Sequence, residues 1–223
     1  MLLEIRDLDV FYGDFHVLHG VTLDVQEGEA VALVGPNGHG KSTLLKAAAG
    51  LIASKRGTIL FDGEKTGRLS APHLVRRGLV YVAEERRLFK DMTVLENLEL
   101  GAYVPHAHAR RAENLELVFE LYPRLGERKH QYARTLSGGE AQMLALGRGL
   151  MSAARMMLID EPSLGLAPNL VQSMLETIRQ INQRAVSILL VEQNESQFES
   201  WVSRIYRLEE GHMVEARPAK SAA

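Results

Sequence analysis

Gly35-Pro36-Asn37-Gly38-His39-Gly40-Lys41-Ser42, followed by Thr43, carries glycines, a lysine and a hydroxyl at the spacing GxxxxGK[ST]. Those residue types suit the terminal phosphates of a nucleotide. Glycines let the backbone curl so that N–H groups point at phosphate oxygens. A helix starting there adds its positive N-terminal end. Lys41 would reach the β- and γ-phosphates, and Ser42 would ligate Mg2+. A chance match is expected in on the order of one per cent of chains this long.

Two further stretches could complete the chemistry. Met156-Met157-Leu158-Ile159-Asp160-Glu161 is an apolar run ending in two carboxylates. At the C-terminal end of a parallel strand they would sit where ligands bind. Asp160 would hold the metal, directly or through water, and Glu161 would polarise the attacking water. Alone, the pair reads equally well as an acidic cap or a solvated turn. The third stretch is Leu136-Ser137-Gly138-Gly139-Glu140. Ser137 and Glu140 make a capping box. A cap does not explain two glycines in the first turn, which cost helix stability. They make sense if a phosphate from another molecule approaches the backbone.

The elements that must position these groups follow from the apolar pattern. Residues 29–34 read as a strand buried on both faces, running into Gly35 and a helix over 41–50. Residues 156–160 and 186–191 read the same way, with a helix over 168–183 between them. Residues 2–11 and 17–25 alternate as half-buried, antiparallel strands, and 58–61 and 79–82 are short strands. Residues 93–122 have helical spacing broken at Pro105, and a further helix spans 137–152. Residues 106–111 read as a solvated stretch in which His106 and His108 lack a third ligand. The tail 217–223 has no apolar anchors and is expected to fray. Strands alternating with helices indicate an α/β fold.

Composition excludes other classes. The 223 residues are 46% hydrophobic and 24% charged, with a formal net charge of -2. That balance gives no nucleic-acid footprint. There is no cysteine, hence no disulfide and no Cys-based zinc site. The start MLLEIRDLDV lacks a basic segment followed by an apolar one, so no secretory signal is expected. No apolar run approaches the roughly 18 residues of a membrane span, so any membrane role must come through a partner.

In this order and over essentially the whole chain, the three stretches resemble the ATP-binding cassette (ABC) family. The resemblance implies one ABC ATPase domain over 1–223. Its P-loop NTPase core would have a mainly parallel sheet, an antiparallel β subdomain and a helical subdomain at about 84–153. It implies ATP and Mg2+ as ligands. Ser137-Gly138-Gly139-Glu140 looks like the signature that contacts ATP held by the opposite subunit, so the active unit would be a head-to-tail dimer. Tyr12 stands where an aromatic residue stacks on adenine. The loop 163–168 looks like the one touching the dimer partner. Glu84 occupies the place of a glutamine that senses the metal and contacts the membrane subunit, and Gln193 the place of a histidine at the γ-phosphate. With Arg86-Arg87-Leu88-Phe89, both replacements are similar to the shorter ATPase subunit of branched-chain amino acid importers. Ala83, Glu85 and His39 differ from that subgroup, where proline, glycine and alanine are usual. The expected partners are transmembrane permeases, a second and longer ATPase subunit, and indirectly a solute-binding protein. The expected place is the cytoplasmic face of the inner membrane. A urea or short-chain amide importer, and a non-transport or regulatory ATP-binding module, are the alternatives.

Overall fold

Alternating and unbroken apolar patterns build two different sheets. The computed structural model describes residues 1–67 and 69–219. The chain opens with β1 (Leu3–Tyr12), β2 (Phe15–Val25) and β3 (Ala30–Val34), then α1 (Lys41–Ala48), β4 (Ser54–Phe61) and β5 (Glu64–Lys65). There follow α2 (Ala71–Arg76), β6 (Leu79–Val82), α3 (Val94–Gly101), α4 (Pro105–Ala109), α5 (Arg111–Leu121), α6 (Pro123–Glu127) and α7 (Gly138–Leu150). The last elements are β7 (Met156–Asp160), α8 (Pro168–Gln183), β8 (Ser187–Val191), β9 (Arg204–Glu209) and β10 (His212–Pro218).

The smaller sheet has the order β2-β1-β4-β5, antiparallel at each pairing. The larger has the order β10-β9-β3-β8-β7-β6, parallel from β9 to β6 with β10 antiparallel at one edge. Every residue of β3, β7 and β8 is buried. Side chains alternate across a strand, so each of these strands feeds two cores. Ala30, Ala32, Val34, Met157, Ile159, Ile188 and Leu190 face the core shared with α3, α7 and α8. Val31, Leu33, Met156, Leu158, Leu189 and Val191 face α1 and the small sheet. The central sheet is thus clamped on both faces. Removing one of these side chains, as in Leu158→Ala, costs about 2–5 kcal/mol.

Between β6 and β7 the chain leaves the sheet and forms five helices. Thr93 and Ser137 cap α3 and α7 with reciprocal capping boxes to Glu96 and Glu140, each worth roughly 1 kcal/mol. Buried Asn97 holds the segment before α3. Its Nδ2 donates to the carbonyls of Phe89 and Thr93 at 2.9 Å each, and its Oδ1 accepts from Phe89 N at 3.0 Å.

Pro105 breaks the helical region as its ring requires, opening α4. Residues 106–111 are solvated as expected, except for buried Ala107, and His106 and His108 are exposed, but the stretch is helical, forming most of α4 and the start of α5. The tail also differs from expectation. Arg217 and Pro218 belong to β10, and Arg217 pairs with Glu195, Glu199 and Glu215. A backbone ladder and a guanidinium replace the missing apolar anchors. Residues 220–223 of that predicted tail lie outside the described residues.

Candidate functional site

The loop between β3 and α1 holds its shape through backbone that side chains rarely adopt. Gly35, Gly38 and Gly40 have φ of 147°, 79° and 102°. A Cβ on Gly35 would lie 2.0 Å from the carbonyl oxygen of Leu208, so glycine is obligatory there. His39 adds a tie that sequence reading missed. Its Nδ1 accepts from Glu210 N at 2.9 Å, and its carbonyl accepts from Gly211 N at 3.2 Å.

Lys41 is 3% exposed. Its ammonium folds back on the loop, donating to the carbonyls of Gly35 at 2.8 Å and Pro36 at 3.0 Å and to Asn37 Oδ1 at 3.4 Å. It also forms an ion pair with Glu161 Oε1 at 3.3 Å. Ser42 Oγ donates to Asp160 Oδ1 at 3.0 Å, and Tyr81 OH donates to Asp160 Oδ2 at 2.8 Å. Parallel pairing places the ends of β3, β7 and β8 side by side, which brings these groups together from distant parts of the chain. Asn37, Gly38, Gly40, Lys41, Ser42, Thr43, Glu84, Glu161 and Leu164 line one cleft of about 310 Å³.

The electrostatics of that cleft favour a cation. Burial pushes the Asp160 carboxyl up, against hydrogen bonds from Tyr81 and Ser42, and the Glu161 charge raises it further. Burial likewise raises Glu84, helped by the charges of Glu161 and Asp160. Burial and the neighbouring Asp160 carboxylate raise Tyr81 far above its ordinary value, so it stays a donor. Crowded carboxylates that resist ionisation are relieved by a hard divalent cation. Ser42, Asp160 and Glu84 offer hard oxygen donors of the kind Mg2+ takes. Among the described residues no group of three or more His, Cys, Asp or Glu is placed to hold a metal ion.

Glu161 sits at φ 41°, a left-handed conformation costly for a non-glycine residue. Its backbone N–H donates to Val191 O at 3.0 Å, and its Oε2 accepts from Gln193 Nε2 at 2.7 Å. Beside them lies Glu192, 3% exposed, which sequence reading passed over. It accepts from Ser163 N at 3.0 Å, Ser163 Oγ at 2.8 Å and Gln193 N at 3.3 Å, while burial raises its carboxyl. A carboxylate directly after a buried apolar strand was the available signal.

The remaining expected site residues lie elsewhere. Tyr12 is half-exposed at the end of β1. Ser137, Gly138, Gly139 and Glu140 open α7 and line no part of the cleft. A second, mostly apolar hollow of about 580 Å³ lies on the side of β6 facing α3 and α7. Its lining includes Leu51, Val75, Phe89, Leu100, Tyr103 and Arg148. Arg148 stacks over Phe89 at 5.7 Å and donates to the carbonyls of Arg86 and Arg87. Leu88 does not line it; it packs against the core.

A glycine-wrapped loop opening a helix, beside paired carboxylates at the end of a parallel strand, defines a P-loop nucleotide-binding fold. The particular branch follows from comparison with known proteins. A family model described as ABC transporter matches residues 18–164, and the chain belongs to that family. It is 42% identical over 213 residues to the high-affinity branched-chain amino acid transport ATP-binding protein of Pseudomonas aeruginosa, covering 96% of this chain and 91% of that one. It is 32% identical to a probable branched-chain amino acid transport ATP-binding protein of Archaeoglobus fulgidus, covering 86% of this chain and 82% of that one. Among solved structures, an ATP-binding subunit of an ABC transporter superposes with a TM-score of 0.84 at 30% identity, covering 98% of this chain and 90% of that one. A dimeric ATP-binding cassette in a post-hydrolysis state, bound to ADP and Pi, gives 0.82 at 25% identity, covering 99% and 100%.

Proposed function

We propose that this chain is the ATP-hydrolysing subunit of an importer of branched-chain amino acids. The observation that carries the reading is a P-loop cleft lined by Lys41, Ser42 and Glu161, with Asp160 bonded to Ser42 and Gln193 bonded to Glu161. The branched-chain assignment rests on what the two transport relatives above are named for.

The chemistry is positioning and charge stabilisation around a phosphoryl group. On ATP binding, the P-loop N–H groups take the phosphate oxygens. Lys41 exchanges its backbone carbonyls and Glu161 for the β- and γ-phosphates, and that frees the Glu161 carboxylate. Glu161 then orients the attacking water and accepts its proton. Gln193, already on Glu161, donates from its amide to hold that arrangement in line. Ser42, Asp160 and Glu84 would hold Mg2+, which would supply charge neutralisation at the phosphates. Tyr12 stacks on adenine.

Ser137, Gly138, Gly139 and Glu140, which line no part of this cleft, present their backbone to ATP bound by a second cassette in a head-to-tail dimer. That second cassette is a different and longer ATPase chain. Residues 84–153 form the helical subdomain. The apolar hollow at Phe89 receives a helix of a transmembrane permease: Leu51, Phe89 and Tyr103 are each about half-exposed at its mouth, and such a patch marks an interaction site. No helix among the described residues is long and apolar enough to cross a membrane. The chain works at the cytoplasmic face of the inner membrane through its permeases, fed by a solute-binding protein. Titration with a fluorescent ATP analogue tests the nucleotide site: Lys41→Ala should abolish tight binding, and wild-type affinity in that variant overturns the assignment. Uptake of labelled leucine against labelled urea, by vesicles carrying the reconstituted transporter, tests the solute.

A further inference from the structure

Two loops leave neighbouring parallel strands beside the cleft. Glu161, Pro162 and Ser163 follow β7; Glu192 and Gln193 follow β8. They meet twice. Gln193 Nε2 donates to Glu161 Oε2 on the cleft side. Beneath that contact, buried Glu192 accepts both the N–H and the hydroxyl of Ser163, and one of its oxygens also accepts Gln193 N. Oε2 of Glu192 is therefore shared between the two loops. A ring results, running Glu161, Pro162, Ser163, Glu192, Gln193 and back to Glu161.

A carboxylate kept at 3% exposure is an expensive way to fill space, because the charged form loses its hydration. It supplies what an apolar residue or an amide cannot: acceptors alone, on both oxygens, for three donors drawn from two loops. It is not among the residues that line the cleft.

We propose that Glu192 is a positioning residue for the hydrolytic step: it bolts the loop at Ser163 to the backbone of Gln193 and so fixes Gln193 against Glu161. The inference rests on the ATPase reading above. The loop continues from Ser163 through half-exposed Leu164 and through Gly165 at φ 73°. The bolt therefore also makes the Gln193–Glu161 contact depend on where that loop sits.

The test uses the transporter complex co-purified through this chain, with the partner ATPase's own site inactivated, measuring phosphate release and ATP affinity. A misplacement of about 1 Å at a reacting centre costs about 100-fold; a loosened contact predicts a fall in kcat of about tenfold for Glu192→Ala, with ATP affinity within about twofold of wild type. Glu192→Gln keeps an acceptor for Ser163 N but turns an amide donor toward Gln193 N, and should recover only part of the rate. In a Gln193→Ala background, Glu192→Ala should add nothing, because the residue acts through Gln193. Ser163→Ala, which removes one arm of the bolt, carries the test if Glu192→Ala does not fold; it should lower kcat by about threefold and again spare affinity. Wild-type kcat in these variants, or additive losses with Gln193→Ala, overturns the proposal. Glu161→Gln separates the two readings. If it leaves turnover unchanged, the ATPase reading fails; if it stops turnover while Glu192→Ala does not slow it, only the role of Glu192 fails.

Discussion

Glu161→Gln should stop turnover and tighten ATP binding, and both effects follow from its contact with Lys41. In the folded chain the two groups are 3% and 8% exposed and lie 3.3 Å apart. At an effective dielectric constant of about 20, the gross attraction at that separation is on the order of 5 kcal/mol. ATP must compete for the same ammonium, so part of that attraction is a cost of binding. The neutral amide removes the competitor and also the repulsion between a carboxylate and the γ-phosphate. Lys41 keeps three oxygen acceptors, which hold it in place without ATP and consume much of the difference. A surviving gain of about 1.4 kcal/mol corresponds to about tenfold tighter binding. Hydrolysis should fall by about 100- to 10,000-fold, as for loss of a general base. Affinity is read by titration with a fluorescent ATP analogue, and turnover by phosphate release from the assembled complex with the partner ATPase's own site inactivated. Weaker binding than wild type would refute the competition argument, and unchanged hydrolysis would refute the role of Glu161.

Phe89→Asp should weaken co-purification with the permeases without changing the melting temperature much, whereas Leu88→Asp should destabilise the fold by several times RT, since Leu88 packs on the core; intact complex at wild-type yield with Phe89→Asp counts against the docking surface. The raised carboxyl of Asp160 makes a signed prediction about pH. A folded pKa above the unfolded one means that the folded chain binds more protons in that window, so this group's contribution to stability falls as pH rises from the ordinary carboxylate value through the raised one. Thermal melts of Asp160→Asn should lose that part of the slope, and a slope identical to wild type would contradict it. A Gln193 amide cannot carry charge, and charge-assisted bonds are roughly twice as strong as neutral ones. The cleft on this chain should therefore be the slower of two unlike sites. If Glu161→Gln here lowers turnover as much as the matching change in the partner ATPase does, the sites are equal.

Strands buried on both faces and the residues at their ends were legible because composition alone marks them. Residues 29–34, 156–160 and 186–191 are nearly free of polar groups, and each carries its chemistry at the last position or just beyond. The capping boxes at Thr93 and Ser137 are local and could be read three residues at a time; only the one at Ser137 was. The strands at 204–218 went unread. Arg204, Arg207 and Arg217 interrupt the alternation, and what holds them are ion pairs with Glu29, Asp24, Glu195 and Glu215, distant in sequence or on the opposite strand. Glu192 was hidden for the same reason. Its neighbours in sequence say nothing of Ser163, which reaches it only because β7 and β8 lie parallel and in register.

The tie from His39 to the turn at Glu210 and Gly211 spans 171 positions. Gly35 closes on Leu208 of the same hairpin. A chain emerging from the ribosome presents its N-terminal part first, at about 5–20 residues per second. The nascent P-loop therefore exists for about 9 to 34 seconds without the hairpin that braces it, long after its own residues have been made. Nucleotide should not be captured co-translationally by a partly made chain. The braced loop appears late, as β9 slides in beside β3, so a chain stalled before residue 204 would be left with an unsupported loop, and ATP would serve as a ligand selective for finished molecules.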